Sequence, residues 1–321
     1  MSPAERLPAA ARAVVAGDRR ALARLITAVE NHDPSALPSL RALYRRTGTA
    51  RVVGLTGPLG VGKSSLINGL LRLLRQRGLK VGVIAVDPSS PFSGGSVLGD
   101  RIRFDRPAGD AAVFFRSMAS RGASGGVAVA TRETVRLLEA AGFDVIFVET
   151  VGSGQVDVAI RDLATTRVVV LVPHLGDEVQ TLKAGLFEIA DVFCVNKSDL
   201  PGAEIAERDL SEMAAFGVAR DGWRPSVVRT STVTPSGIPE LWRAIERHES
   251  FLDSSQSRAP ARRQRLVREI VERATDRLTS DLARRIQTEP DWAELIDRVA
   301  DRRLDPRSAA ERLAKELARS P

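Results

Sequence analysis

One stretch of the sequence decides how the rest is interpreted, and it reads Val52-Val53-Gly54-Leu55-Thr56-Gly57-Pro58-Leu59-Gly60-Val61-Gly62-Lys63-Ser64-Ser65. A short apolar run ends in a glycine-rich turn, and an amphipathic segment follows as far as Arg77. This order predicts a strand, a loop and a helix. Gly57-x4-Gly62-Lys63-Ser64 is the complete phosphate-binding loop pattern, in the strand–loop–helix context that it requires. The stretch therefore predicts a nucleotide site with residues 57–65 around the phosphates.

The chemistry of this loop follows from its residue types. Glycines let backbone N–H groups turn inward onto phosphates, and the helix N-terminus behind the loop adds partial positive charge. We expect Lys63 to reach the outer phosphates and to neutralise the charge that develops during transfer, which makes it a catalytic candidate. The Ser64 hydroxyl is expected to ligate Mg²⁺.

A second motif, Asn196-Lys197-Ser198-Asp199, closes another apolar run. The Asp199 carboxylate can accept hydrogen bonds from N1 and N2 of guanine, whereas adenine would leave it poorly paired. Asn196 and Lys197 are expected to brace the loop and cover the base. The backbone N–H groups expected near guanine O6 belong to Ser231, Thr232 and Val233. Alone, the motif is equally compatible with a helix cap, but behind a phosphate-binding loop it predicts GTP and GDP as ligands.

Three loops between these anchors are candidate switches. Asp87 ends one apolar run and is a candidate Mg²⁺ ligand, although Asp before Pro is also typical of a plain turn. Glu149 ends another run and is expected to hold Mg²⁺ through water, with Gln155 or Asp157 orienting the attacking water. The third candidate, residues 173–178, is also compatible with a simple loop that leads into an acidic helix start.

Apolar, β-branched runs alternate with amphipathic segments between Arg51 and His248. This alternation predicts an α/β fold with a mainly parallel sheet that is covered on both faces. The predicted strands are Val52–Thr56, Val81–Val86, Ala111–Phe115, Val145–Glu149, Val168–Val172, Val192–Asn196 and Ser226–Thr230. Phosphate ligands in such folds bind at the carboxyl ends of the strands, and the motifs fall there.

Helical segments flank this region on both sides. Residues 3–47 carry Ala, Leu and Arg at helical spacing with a break at 31–38, which predicts an N-terminal helical hairpin. Residues 254–257 and Pro260 indicate a linker. Apolar residues then recur on one helix face, at Leu266, Ile270, Ala274, Leu278 and Leu282. We therefore expect three parts: an N-terminal helical segment (1–48), the phosphate-loop domain (49–250) and a C-terminal helical extension (251–321).

Composition narrows the function classes. The chain has 321 residues, a net charge of +7 and 43% hydrophobic residues. No run approaches the roughly 18 apolar residues of a membrane span, and no signal-peptide pattern opens the sequence. The arginine surplus raises a nucleic-acid hypothesis, but no aromatic residues are interleaved with it. The single cysteine, Cys194, lies in an apolar run, as a structural thiol would. We expect a cytoplasmic protein that binds neither nucleic acid nor membrane.

Several longer segments carry a family resemblance. They are Gly17–Arg24, Gly57–Ser65, Val86–Ser90, Gly94–Asp100, Arg116–Met118 with Arg121-Gly122, Glu149–Gly152 with Gly154-Gln155, Gly176–Gln180, Ile189–Asp191, Asn196–Asp199 and Gly237–Trp242. Over nearly its whole length the chain resembles the G-proteins associated with methylmalonyl-CoA mutase, a family labelled MeaB or ArgK. The Asp-Pro-Ser-Ser and Arg-Ser-Met segments are far more specific to that family than the phosphate-binding loop.

The resemblance implies a GTPase chaperone for an adenosylcobalamin-dependent acyl-CoA mutase, one that gates cofactor delivery and protects the enzyme. By matching positions, it implies that Asp87, Asp100 and Glu149 belong to the Mg²⁺ and switch shell. Gln155 would lie in a second switch, and Lys183 in a third switch that couples to the partner. It also implies a homodimer formed through the C-terminal helices.

The sequence departs from the family pattern at two places. Ser153 and Val156 alter the segment after Glu149, and His174 stands where glycine is usual. Both changes lie where hydrolysis would couple to partner contact. Two other function classes stay open beside the chaperone, a nickel-insertion GTPase and a kinase of the type that the ArgK label suggests. Three histidines and one cysteine disfavour the first, and the guanine motif disfavours the second.

Overall fold

A computed structural model of the chain describes residues 7–87, 110–119, 126–150, 156–173, 186–216 and 222–317. Chain contacts divide it into two units, Met1–Arg258 and Ala259–Pro321. The N-terminal helices fall in the same unit as the sheet. The three-part division at residues 48 and 250 stays a prediction.

Seven strands among the described residues form one parallel sheet, which confirms the predicted fold class. The strand order is β3-β2-β4-β1-β5-β6-β7, so β1, which leads into the phosphate-binding loop, lies in the centre. The strands are β1 (Arg51–Thr56), β2 (Val81–Asp87), β3 (Val113–Ala119), β4 (Val145–Thr150), β5 (Thr166–Leu171), β6 (Val192–Val195) and β7 (Ser226–Arg229). The largest difference from prediction is at β3, which starts two residues later and ends four residues later than expected. Pairing with the long strand β2 extends it beyond its apolar run.

Successive side chains of a strand pack into two separate hydrophobic cores, one on each face of the sheet. On β4, Val145 and Phe147 pack in one apolar cluster, while Ile146 and Val148 pack in the other. This is the two-residue alternation of a strand that is covered on both faces. It explains why the sheet strands are continuous apolar runs instead of alternating ones.

Helices cover the two faces. One face packs against α4 (Lys63–Gln76) and α9 (Ile238–Ser254). The other packs against the N-terminal helices α1 (Ala9–Val15), α2 (Arg19–Glu30) and α3 (Leu37–Leu43), and against α5 (Gly126–Ala140). The described part of this unit also contains α6 (Val156–Leu163), α7 (Leu186–Ile189) and α8 (Ala203–Phe216). The N-terminal segment thus has three helices instead of the predicted hairpin, because Asp18 caps a separate second helix.

The second unit is helical. It contains α10 (Arg258–Thr288), which begins at the last residue of the first unit, α11 (Pro290–Ala300) and α12 (Pro306–Leu317). Pro260 was predicted to lie in a linker but lies in the first turn of α10, where a missing N–H costs nothing. Pro290 and Pro306 open the next two helices, for the same reason. Within the described ranges, no helix has the length and hydropathy that crossing a membrane requires.

Candidate functional site

The phosphate-binding loop spans residues 57–62, between the carboxyl end of β1 and the first residue of α4. Gly57 has a φ of +140°, and a Cβ there would lie 2.1 Å from the carbonyl oxygen of Val170 on β5. Gly62 has a φ of +92° at the start of α4, and its Cβ would lie 2.5 Å from Nδ2 of Asn196. Only glycine fits both positions. No side chain of the described residues caps α4, so its first backbone N–H groups can bind phosphate.

Lys63 lies inside the loop. Its side chain is buried, and Nζ donates to the carbonyl oxygens of Gly57, at 2.7 Å, and Pro58, at 2.9 Å. A buried ammonium needs such partners, because removal of the charge from water is costly. The ammonium is therefore already held across the loop, where it can exchange these carbonyls for phosphate oxygens.

Ser64 and Glu149 meet beside Lys63. The Ser64 hydroxyl donates to Oε1 of Glu149 at 2.7 Å, and the parallel pairing of β1 with β4 sets Glu149 opposite Leu55. A hydroxyl and a carboxylate are the hard oxygen ligands that Mg²⁺ takes beside substrate phosphates. The pair therefore fits the predicted Mg²⁺ site.

The other predicted switch residues are described less completely. Asp87 ends β2, which pairs with β4 and so ends at the same edge of the sheet; its side chain is outside the described part. Asp100, Gln155, His174, Lys183 and Arg121 lie outside the described residues. The roles predicted for Asp100, Gln155 and Lys183 stay predictions.

Asn196 joins the guanine motif to the phosphate-binding loop. Its Nδ2 donates to the Val61 carbonyl at 2.7 Å, and its Oδ1 accepts from the Thr230 hydroxyl at 3.0 Å. Its backbone N–H donates to the Leu171 carbonyl at 2.8 Å. The predicted bracing role of Asn196 thus has a direct structural basis in its contact with Val61.

The residues predicted to contact the base lie together. Asp199 is exposed, and its Oδ1 accepts a hydrogen bond from the Ser231 hydroxyl. That hydroxyl also accepts from the backbone N–H groups of Val233, at 3.3 Å, and Thr234, at 3.1 Å. Lys197 has a φ of +54°, which bends the chain between Asn196 and Asp199. The Val233 N–H, predicted to contact guanine O6, is occupied by Ser231 in this structure.

Sequence reasoning missed two side-chain contacts. Thr230 was assigned only to a strand end, and Ser231 only a backbone role, yet their hydroxyls orient Asn196 and Asp199. A hydroxyl residue after a strand is too common a signal to single them out. Thr230 also contacts Cys194 at 3.1 Å, and burial raises the pKa of that thiol to about 12. Cys194 is thus the structural thiol that its apolar run indicated.

Arg116 belongs to one of the family-specific segments and lies in the middle of β3. In this structure its guanidinium donates to both carboxylate oxygens of Glu30 on α2 and to the Thr27 hydroxyl. Arg116 therefore stabilises the contact between α2 and β3.

Comparisons with known proteins identify the family of the chain. The family model "Methylmalonyl Co-A mutase-associated GTPase MeaB" matches residues 22–287. A Pyrococcus abyssi protein named as a GTPase is 48% identical over 306 residues, which cover 94% of each chain. The Escherichia coli GTPase ArgK is 34% identical over 308 residues, which cover 93% of each chain. The crystal structure of a LAO/AO transport system kinase is similar with a TM-score of 0.72 and 27% identity, and 96% of each chain is covered. The chain therefore belongs to the methylmalonyl-CoA mutase-associated GTPase family, and its reaction is the hydrolysis of GTP.

Proposed function

We propose that this GTPase is a chaperone of an adenosylcobalamin-dependent acyl-CoA mutase, and that GTP hydrolysis gates delivery of the cobalamin cofactor and protects the mutase. The observation that carries the proposal is the match of residues 22–287 to a family described by its association with methylmalonyl-CoA mutase. The mutase is the proposed partner, and methylmalonyl-CoA mutase is the first candidate to test.

The proposed hydrolytic step uses residues at the carboxyl edge of the sheet. Water attacks the γ-phosphorus, the bond to the β–γ bridging oxygen breaks, and that oxygen leaves with GDP. Lys63 and the N–H groups at the start of α4 stabilise the charge on the transferred group. Mg²⁺, when bound by Ser64 and by the predicted ligands Glu149, Asp87 and Asp100, would supply further neutralising charge. Gln155 would orient the water.

Guanine selection rests on Asp199, which would accept from N1 and N2 of the base. Asn196 and Ser231 hold the two ends of this motif, through Val61 and through the Asp199 carboxylate. Lys197, Thr232 and Val233 would complete the pocket around the base.

The test is to combine the purified chain with candidate acyl-CoA mutases, in the presence of GTP and Mg²⁺. We expect co-elution, faster GTP turnover with the true partner, and a nucleotide-dependent transfer of cobalamin that absorbance can follow. A Lys63→Ala variant should bind the mutase but not respond to GTP. If no cobalamin-dependent mutase co-elutes or changes the turnover, the chaperone proposal is wrong.

The same assay separates hydrolysis from kinase chemistry. With GTP labelled in the γ-phosphate, the label should appear as inorganic phosphate. Label on a small amine, on the mutase or on the chain itself would instead support the kinase alternative.

We also propose that two copies of the chain form a dimer through α10. Four apolar side chains on this helix are exposed: Val267, Ile270, Val271 and Leu278. Their spacings of three, four and seven residues place them on one face of a helix that is 31 residues long. A self-complementary apolar stripe on a long helix is typical of helix pairing between identical chains.

A further inference from the structure

Asp110 connects three elements of the first unit. It lies three residues before β3. Its carboxylate accepts hydrogen bonds from Nε of Arg75, at 2.7 Å, and from Nη2 of Arg75, at 3.3 Å. Arg75 lies in the last turn of α4, the helix that begins at Lys63. The carbonyl oxygen of Asp110 accepts from Nη1 of Arg19 on α2 at 2.7 Å.

Several hydrogen bonds hold the ion pair between Asp110 and Arg75 in one geometry. The backbone N–H of Ala112 donates to the same carboxylate at 2.9 Å, and the hydrogen bonds from Arg75 lower the pKa of Asp110. Side-chain exposure is 25% for Arg75 and 21% for Asp110. Partly shielded, bidentate ion pairs of this kind are stronger and better oriented than ion pairs on an open surface.

The N-terminal helix α2 holds β3 at further points. Nη2 of Arg19 donates to the Val113 carbonyl at 2.6 Å, and Arg116 in the middle of β3 pairs with Glu30 and Thr27. A continuous series of contacts therefore runs from α2 through the start of β3 to the far end of the helix that carries Lys63 and Ser64.

We propose that Asp110 is a positioning residue for GTP turnover, which transmits the hold of the N-terminal helices on β3 to α4 through Arg75. The helix has 14 residues, and a short α-helix moves as a rigid rod. Restraint at its last turn therefore limits tilting at its first turn. Lys63, Ser64 and the first N–H groups are aligned on the phosphates only while that end stays seated. This inference concerns GTP turnover and does not depend on the mutase.

Three variants test the contact: Asp110→Asn, Arg75→Gln and the double variant. Asp110→Asn removes the charge but keeps an acceptor for the Ala112 N–H. We expect each single variant to speed the release of a fluorescent GDP analogue and to lower kcat by roughly two- to thirty-fold. The double variant should show no more than the larger single effect, because both changes break one pair.

Arg77→Gln is the matched control. Arg77 follows α4 directly and pairs with Glu246 on α9 at 3.4 Å, at the exposed surface. It should lose as much surface charge as Arg75→Gln without changing GDP release or kcat. Arg19→Gln should reproduce part of the Asp110 effect, because it releases the carbonyl side of the same residue.

Thermal unfolding of each variant distinguishes positioning from support alone. If Asp110→Asn and Arg75→Gln lower only the melting temperature, with GDP release and kcat unchanged in the folded protein, the proposal is overturned. Equal effects from Arg77→Gln would also overturn it. If Asp110→Asn is too unstable to purify, Arg75→Lys, which keeps the charge but not the two-pronged geometry, should show the same direction of change. A wild-type rate in that variant would contradict the proposal.

Discussion

At the scale of single residues, the Asn196 side chain connects the guanine motif to the phosphate-binding loop. It is buried, and both ends of its amide are used, one by the Val61 carbonyl and the other by the Thr230 hydroxyl. Buried polar groups that are fully paired define one geometry, because any displacement leaves a partner unsatisfied. The phosphate-binding loop and the guanine motif are therefore held in fixed relation.

Lys63→Ala should reduce kcat for GTP by about 100-fold or more, the usual effect when one charged group at a transition state is lost. It should also weaken GTP binding. Lys80→Ala is the control, because Lys80 is an exposed lysine at the opposite edge of the sheet, just before β2. The measurement is phosphate release under saturating and limiting GTP. Normal turnover in Lys63→Ala would show that the site is assigned wrongly.

Asp199→Asn should lower kcat/KM for GTP by roughly 10- to 150-fold, because a hydrogen bond to a charged group is lost. The new amide also sets a donor against the donors of guanine. Asp209→Asn, an exposed position on α8, should leave kcat/KM unchanged. Competition binding with GDP and ADP reads the selectivity directly. An undiminished preference of the Asp199→Asn variant for GDP over ADP would show that Asp199 does not recognise the base.

At the scale of elements, a polar network joins α9 to the amino ends of β5 and β6. Nδ1 of His248 on α9 lies 2.9 Å from the Thr166 hydroxyl, and Nε2 lies 3.6 Å from Asp191. The ring packs against Trp223, with centroids 4.9 Å apart. The charged groups around His248 are Asp191, Arg167, Glu249 and Arg258. Burial of the ring outweighs the two carboxylates and lowers the pKa of His248 from 6.5.

This lowered pKa predicts that the stability of the first unit falls in mild acid. Below about pH 6.5 the unfolded chain binds a proton on His248 that the folded chain does not, so the free energy of unfolding decreases as the pH falls. One histidine can contribute at most about 1.4 kcal/mol per pH unit. Urea unfolding at about pH 7.5 and about pH 5.5 should show a smaller change for His248→Gln than for the wild type. The exposed His32→Gln variant should keep the wild-type change, and an equal pH dependence in all three proteins would contradict the assignment.

At the scale of the whole molecule, the exposed apolar stripe of α10 is the basis of the proposed dimer. Within the second unit, Trp292 is buried and Arg285 lies over its ring, with the guanidinium carbon 5.7 Å from the ring centroid. Trp292 is thus buried, while Ile270 and Leu278 on α10 remain exposed. In the proposed dimer, a second copy of α10 would cover this face.

Light scattering should give twice the 34.6 kDa of one chain for the wild type, and one chain mass for Ile270→Asp with Leu278→Asp. Burying two carboxylates in an apolar interface is strongly unfavourable. Ser280→Asp, an exposed change on another face of α10, should leave the dimer intact. A wild-type mass of one chain, or a dimer that survives the double variant, would contradict the dimer proposal.

Much of the fold could be predicted because its determinants are local. The seven apolar runs mark strands through residue type and length. The boundaries of β3 could not be predicted, because pairing with β2 carries the strand past its apolar run to Ala119. Pro260 was wrongly assigned to a linker, because a proline in the first turn of a helix looks the same in sequence as a proline in a linker.

The sequence by itself determined the parallel α/β sheet and predicted the phosphate-binding loop and the guanine motif, because glycine freedom, β-branched runs and the two acceptor oxygens of Asp199 act over short spans of chain. Only the tertiary structure decided which distant side chains meet. It paired Ser64 with Glu149, Asn196 with Val61 and Thr230, and Asp110 with Arg75 and Arg19. These pairs depend on strand order and helix packing, which bring together residues that no local spacing relates.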